Sequence, residues 1–317
     1  MKIFDAQATR DALPFDRLIQ QLRERFIAGC EVPPRQVLEL PAANGPGEGS
    51  KLTSLIMPAW TTGQYYGVKI VNIAPGNSAL GLPGLHSQYL LFDARTGAPL
   101  AQLDGDEITA RRTAAASALA ASYLARKDSQ HLLVVGAGKV ARLLPQAYEA
   151  AVPSVARVSI WSRRHEAASA MARDWSEQAG INALATADLE KACGEADIVS
   201  CATMASSPLV RGHWLAAGSH LDLIGGFTPA MREADDACFE HARVFVDTEE
   251  ALQKSGDLLS PMSRDIFSAD DVRGTLTTLC KGVAVGRRSV QDRTVFKSVG
   301  TALEDLAAAT LVYESAT

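Results

Sequence analysis

Apolar positions change their spacing along the chain, and each change predicts a different element. Phe15, Leu18, Ile19, Leu22 and Phe26 recur every three to four residues, which predicts an amphipathic helix from about Pro14 to Ala28. From Val37 to Leu103 short runs such as LTSLIM, YGVKIVNI and YLLFD are separated by Pro, Gly and Asn clusters, the pattern of several strands with turns. An alanine-rich segment from about Asp106 to Arg126 contains neither Gly nor Pro and predicts a long helix linking two domains. Beyond it HLLVVG, ARLLPQAYEAA, ARVSIW and HEAASAMARDWSEQ alternate strand and helix, and ADIVSCAT, SHLDLIGG and ARVFVD add further strands. Strands separated by helices imply parallel pairing, so an α/β doubly wound sheet is expected. From Lys297 to Thr317 the pattern predicts a final helix, apolar on one face and packing back on the first domain.

The 317 residues fit two domains, and 21% charged with 47% apolar residues is the balance of a folded chain. Basic minus acidic residues is 31 − 36 = −5, and the basic residues come as isolated pairs such as Arg111-Arg112 and Arg287-Arg288. No concentrated basic face is present for a polyanion, so nucleic acid is not an expected partner. No apolar stretch approaches the ~20 residues that span a bilayer, and MKIFDAQATRDALPF places acids where a signal peptide needs an apolar core. No membrane partner and a cytoplasmic location are expected. The five cysteines, Cys30, Cys193, Cys201, Cys238 and Cys280, are scattered and form no Cys-x-x-Cys pair, which fits reduced thiols. His165-Glu166-Ala167-Ala168-Ser169 lacks the second histidine of a zinc helix, so no metal is expected.

HLLVVGAGKVA carries the sharpest motif. Gly136, Gly138 and Ala141 stand in the order G-x-G-x-x-A after an apolar strand and at the opening of a helix. Glycines allow the turn and a close approach to a pyrophosphate, while a helix N-terminus offers N–H groups. Lys139 and Val140 are placed where the first helical turn faces the phosphates. The next strand, ARVSIW, ends in Ser162-Arg163-Arg164, 162 − 136 = 26 residues after the first glycine. NAD-selective sites hold an acid there to grip the ribose hydroxyls. Here a hydroxyl and two guanidiniums stand instead, groups that attract a 2′-phosphate, so NADPH is expected to bind better than NADH.

The nucleotide motif, the β-rich segment before it and the linking helix with Thr109-Ala-Arg-Arg-Thr113-Ala-Ala together resemble the ornithine cyclodeaminase and mu-crystallin family. YYGVKIVN with Lys69, and VFKSVGTALEDLAAA with Ser298 and Gly300, match it as well. The resemblance implies a Rossmann-type domain, residues 121–294, inserted between a β-rich α+β domain, residues 1–120, and its C-terminal helix, residues 295–317. The first domain and that helix would bind substrate and form a homodimer. Arg112 matches the arginine that binds the substrate α-carboxylate, with Lys69 and Arg35 as neighbours, and Thr113, Ser298 and Gly300 fall on the cofactor side. At strand ends, Thr203 and Met204 after ADIVSCA, and Gly225-Gly226 after HLDLI, should lie under ribose and nicotinamide. Cys201 reads as a buried strand thiol, since no base is placed beside it.

One departure separates the family's activities. Cyclodeaminases carry an aspartate after the glycine pair, and this chain has Phe227 followed by Thr228. A phenyl ring neither takes a proton nor pairs with an ammonium, so cyclisation of ornithine is not expected. GGFTPAMRE and GLPGLHSQYLLFD look like the bacterial reductases of Δ1-pyrroline-2-carboxylate and Δ1-piperideine-2-carboxylate, with His86 where a glutamine is expected. The expected activity is NADPH-dependent reduction of such cyclic imines to L-proline or L-pipecolate. Thr228 either presents a hydroxyl near the ring or starts the next turn, and no carboxylate is visibly placed to protonate the imine, which leaves solvent, His86 or Lys69. The competing readings are an alanine-dehydrogenase-like enzyme and a non-catalytic NADPH-dependent binding protein.

Overall fold

The computed structural model describes residues 1–41, 52–178 and 180–316. They form two compact units, Met1–Arg112 with Thr301–Thr317, and Thr113–Gly300. The boundary falls within one helix, Gly105–Leu124, whose first turn is held by Asp104 accepting from the Glu107 amide at 2.8 Å.

In the first unit six strands, β1 (Lys2–Phe4), β2 (Gln36–Leu40), β3 (Leu52–Trp60), β4 (Tyr65–Ile73), β5 (Leu85–Asp93) and β6 (Pro99–Asp104), form one sheet in the order β1-β6-β5-β4-β3-β2. Only β1 and β6 pair in parallel. The helix Phe15–Ala28 follows Pro14 and buries Phe15, Leu18, Ile19, Leu22 and Phe26, the five positions that the spacing selects. Burying each such side chain contributes ~1.5–3 kcal/mol. The C-terminal helix Ala302–Ser315 packs against that helix and against β3 and β4. It corrects the expectation of one apolar face, because every residue from Ala302 to Val312 is buried, Glu304 and Asp305 included.

The second unit holds eight strands, β7 (His131–Val135), β8 (Arg157–Trp161), β9 (Ala183–Ala185), β10 (Ile198–Cys201), β11 (His220–Leu223), β12 (Arg243–Val246), β13 (Val272–Thr275) and β14 (Thr294–Lys297). Their order is β13-β12-β14-β11-β10-β7-β8-β9, and every pair is parallel. Leu133, Val135, Val199, Leu221, Leu223, Val246 and Val295 form its core. The final strand β14 enters between β11 and β12, so Lys297 ends a central strand and does not open the last helix. Four residues carry no period that separates a buried strand from a helix, so the strand Thr294–Lys297 gives no signal of its own.

The helix after the glycine turn also starts later than its sequence suggests. Ala141–Leu143 form a 3₁₀ turn, with Arg142 donating to the Gly138 carbonyl at 3.0 Å, and the α-helix runs Leu144–Ala151. Pro145 has no N–H for an i−4 bond, so it can sit only in the first turn of the α-helix. Among the described residues no helix is long and apolar enough to cross a membrane.

Candidate active site

The first unit buries a charged cluster. On β4 Gly67, Lys69 and Val71 occupy the buried face by strand alternation, and Lys69 is 1% exposed. Gly67 is required there because a Cβ would lie 2.1 Å from the Tyr89 hydroxyl on the neighbouring strand. Thr109 and Arg112, three apart on the helix Gly105–Leu124, share one face of it. The Lys69 Nζ donates to Thr109 Oγ1 at 3.3 Å and pairs with Asp305 Oδ2 at 2.7 Å. Arg112 Nε donates to Asp305 Oδ1 at 3.0 Å, and its Nη1 to Glu304 Oε2 at 2.6 Å. Burial lowers the Lys69 ammonium to about 8, the Asp305 carboxylate pulling it back up only in part. Burial pushes the Asp305 carboxyl up, but Lys69 and Arg112 outweigh it and hold it below the usual carboxylate range. Lys69 and Arg112 are thus brought together, and the arginine beside them has another task. Arg111 donates to the Leu13 carbonyl at 2.8 Å and lies 4.4 Å from the Phe15 ring centroid.

In the second unit the other candidates line the carboxyl ends of five adjacent strands. Ser162 follows β8, Gly136 follows β7, Thr203 follows β10 by two residues, Gly225 follows β11 by two, and Ser298 follows β14, with the strand order changing direction between β7 and β10. Such a switch point opens a crevice for a ligand. Gly136 has φ 130°, and a Cβ there would lie 2.5 Å from the Ala202 carbonyl, so only glycine fits. Gly138 differs: a Cβ on it would meet nothing within 4 Å, leaving an open cradle that a side chain would fill. That cradle fits a pyrophosphate. Lys139 is exposed and Val140 half-buried beside it, and Thr113 is half-buried on its helix. Arg163 and Arg164 are exposed, while Ser162 Oγ accepts from the Arg164 amide at 3.3 Å at the start of the helix His165–Gln178. Met204 is 73% exposed. Cys201 is fully buried and burial raises its thiol pKa well above the ordinary value.

Residues that sequence reasoning missed organise both units. Glu233 Oε1 accepts from Thr203 N and Thr203 Oγ1, both at 2.7 Å, and its Oε2 accepts from Gly225 N at 2.6 Å. One carboxylate therefore ties the loops after β10 and β11, and burial pushes it up to about 8. A Cβ on Gly225 would lie 1.9 Å from the Thr203 carbonyl, and one on Gly226 would lie 2.0 Å from Asp257 Oδ2, so the glycine pair makes room for these contacts. Asp247 Oδ2 accepts from the Val299 and Gly300 amides at 2.8 and 2.7 Å, which shapes the turn after β14, where Gly300 has φ 77°. Phe227 is 40% exposed after the glycine pair, and the half-buried Thr228 gives its carbonyl to Met231 N and Gly256 N. The acids on the C-terminal helix, Glu304 and Asp305, are the partners of Arg112 and Lys69. Their one visible signal is an acidic pair inside the apolar run ALEDLAAATLV.

One expected neighbour of Lys69 lies on the other face of its sheet. His86 is exposed on β5 opposite Asn72, whereas Lys69 is opposite Tyr89, so alternation puts His86 on the other face of the sheet. Arg35 precedes the edge strand β2 and is half-buried.

Over 317 residues the chain is 37% identical to the Δ(1)-pyrroline-2-carboxylate reductase of Colwellia psychrerythraea, covering 99% of each chain. It is 43% identical over 271 residues to the protein of that name in Paracoccus denitrificans, 84% of each. The structure of Thermococcus litoralis Δ(1)-pyrroline-2-carboxylate reductase in complex with NADH and L-proline superposes with a TM-score of 0.92 at 31% identity, covering 100% of this chain and 97% of that one. The pattern of the ornithine cyclodeaminase/mu-crystallin family matches residues 34–317, a span that includes the buried ion cluster and the strand ends described above. This chain belongs to the ornithine cyclodeaminase/mu-crystallin family.

Proposed function

We propose that the protein is an NADPH-preferring reductase of cyclic ketimines, converting Δ1-pyrroline-2-carboxylate and Δ1-piperideine-2-carboxylate to L-proline and L-pipecolate. The relatives' names and the Thermococcus litoralis complex support an oxidoreductase that works on a C=N bond with a nicotinamide cofactor. The observation that carries the substrate is Phe227, an apolar ring where the family's cyclodeaminases need an acid. A preformed cyclic imine needs no amine chemistry before reduction, so that acid is dispensable here. Lys69 and Arg112 would take the α-carboxylate, a charge-assisted contact that orients the ring. The bound nicotinamide supplies the hydride.

Gly136, Gly138, Lys139, Val140, Thr113, Thr203, Met204, Gly225, Gly226, Ser298 and Gly300 would hold the dinucleotide, and Ser162, Arg163 and Arg164 its 2′-phosphate. Two exposed guanidiniums with no acid at the end of β8 support the phosphate. A homodimer would form through the first unit, where β2 is exposed along its length and presents Val37, Leu38 and Leu40. The test follows NADPH and NADH oxidation with both imines and with pyruvate plus ammonia, alongside ornithine and NAD. Turnover of the imines is expected, with no ammonia released from ornithine. One or two phosphate contacts worth ~1.5–3 kcal/mol correspond to about one to two decades in kcat/KM in favour of NADPH, shrinking in Arg163→Ala and Arg164→Ala. Equal use of the two cofactors would remove the phosphate assignment, and a preference for pyruvate plus ammonia would make the enzyme an amino-acid dehydrogenase.

A further inference from the structure

Three consecutive residues at the start of the helix Gly256–Met262 hold the segment that follows the glycine pair. Ser255 stands at the N-cap, where a serine ordinarily turns its hydroxyl to its own helix, and it makes no such bond. Its Oγ donates to the Gly226 carbonyl at 2.6 Å, and the residue is fully buried. Gly256 N donates to the Thr228 carbonyl at 3.0 Å. A Cβ on Gly256 would collide with the Met231 carbonyl and lie 2.5 Å from that of Pro229. Asp257 Oδ1 accepts from the Glu233 and Ala234 amides at 2.8 and 3.1 Å, and its Oδ2 faces Lys297 Nζ at 3.6 Å. The segment is therefore held at its first foot by Ser255, along its middle by Gly256 and at its second foot by Asp257.

All of these contacts to the segment are made to its main chain, so they fix where it runs whatever side chains it carries. Phe227 lies between the Ser255 and Gly256 contacts, with 40% of its surface exposed. Backbone fixed on both sides of it leaves its ring only the freedom of its own side-chain torsions. A wall that tells two ligands apart by one methylene has to be held to within ~0.5 Å. We propose that Ser255, Gly256 and Asp257 are positioning residues, a template that sets where Phe227 stands and thereby which ring size the site accepts. The inference rests on the ketimine reading, which puts Phe227 against the imine, and deepens it by naming what decides between a five- and a six-membered ring. Neither Ser255 nor Gly256 has to touch a ligand. Loss of the Ser255 hydroxyl releases the segment, and a methyl added at Gly256 pushes it. Gly256 is not in the left-handed region, so alanine suits its helix and the push falls on the segment.

The test compares L-proline with L-pipecolate, rings that differ by one methylene. Affinities are measured on the NADPH-loaded protein, by inhibition of imine reduction and by ligand-induced shift of thermal unfolding. The proteins are the wild type, Ser255→Ala, Gly256→Ala, and each of these variants combined with Phe227→Ala. One methylene in an apolar pocket corresponds to at most roughly 10- to 200-fold, so a displaced wall should move the ratio of the two affinities by about three- to tenfold in the single variants. With Phe227→Ala in place the same substitutions should move it less than about twofold, because the ring through which they act is gone. A general loosening of the fold weakens both ligands and leaves their ratio alone. A ratio unmoved in either folded single variant overturns the template, and so does a shift of equal size with and without Phe227. If Gly256→Ala does not fold, Ser255→Ala decides by the same ratio. Imine turnover by the wild type with either of those results refutes the template alone. No turnover of either imine and no binding of either ring by the wild type refutes the ketimine reading, and the template with it.

Discussion

The two units bury carboxylates in opposite ways. In the first, Asp305 and Glu304 meet cations, and Asp305 is held ionised although no solvent reaches it. In the second, carboxylates meet neutral donors. Asp222 accepts from Ser117, Tyr148 and Ser200, and burial raises it to about 6. Glu233 accepts from one hydroxyl and two amides and is pushed up to about 8. Lys297, the buried cation of that region, stays 3.6 Å from Asp257 and donates instead to the Leu223 carbonyl at 2.9 Å. A carboxylate facing a guanidinium and an ammonium offsets buried positive charge. One facing amides at strand ends shapes backbone, because each N–H it accepts is one that the ended strand leaves without a partner. The same residue type thus neutralises buried cations in one unit and sets loop geometry in the other.

The contrast breaks most visibly at Arg112. Arg112→Ala removes a charge-assisted contact worth ~2–4 kcal/mol to the oriented substrate, so kcat/KM for the imine should fall roughly 30- to 1000-fold. Steady-state kinetics of a variant shown to be folded by circular dichroism measure it, and a fall under threefold would take the arginine out of the site. Glu233→Gln should act on the other side of the comparison. The amide nitrogen cannot accept, so one buried N–H loses its partner at a cost of ~1–3 kcal/mol, and Tm should drop by roughly 2–10 °C. An unchanged Tm would show that Glu233 does not hold these loops.

The smallest effect is pH dependence. Burial holds the Lys69 ammonium near 8, facing Asp305, Arg112, Glu304 and Thr109, so it is protonated below that pH and loses its charge above it. L-proline affinity should therefore weaken as pH rises through about 8, by up to tenfold per unit, while the amine of the ligand stays charged. Affinity that is flat from about pH 7 to 9.5 would show that Lys69 carries no charge for the ligand.

Local demands on backbone and pattern were legible in the chain itself. A glycine turn at φ 130°, a helix with five buried residues at helical spacing, and strands separated by helices are each dictated by neighbours in sequence. The strand ends that line the candidate cofactor edge follow from the same alternation. Pro145, although visible, delays its helix through an effect of one missing N–H that the spacing of apolar residues does not register. The ion cluster belongs to another level. Arg112 and Asp305 lie 193 residues apart, and nothing in the period of either helix says that they touch. His86 and Lys69 fall on opposite faces only once the register of β4 against β5 is set. Glu233 reaches Thr203 across 30 residues because two strand ends lie side by side. Periodicity reports which face a side chain is on along its own element, whereas electrostatic partners are chosen by the packing of elements far apart in the chain, and only the tertiary structure decides that.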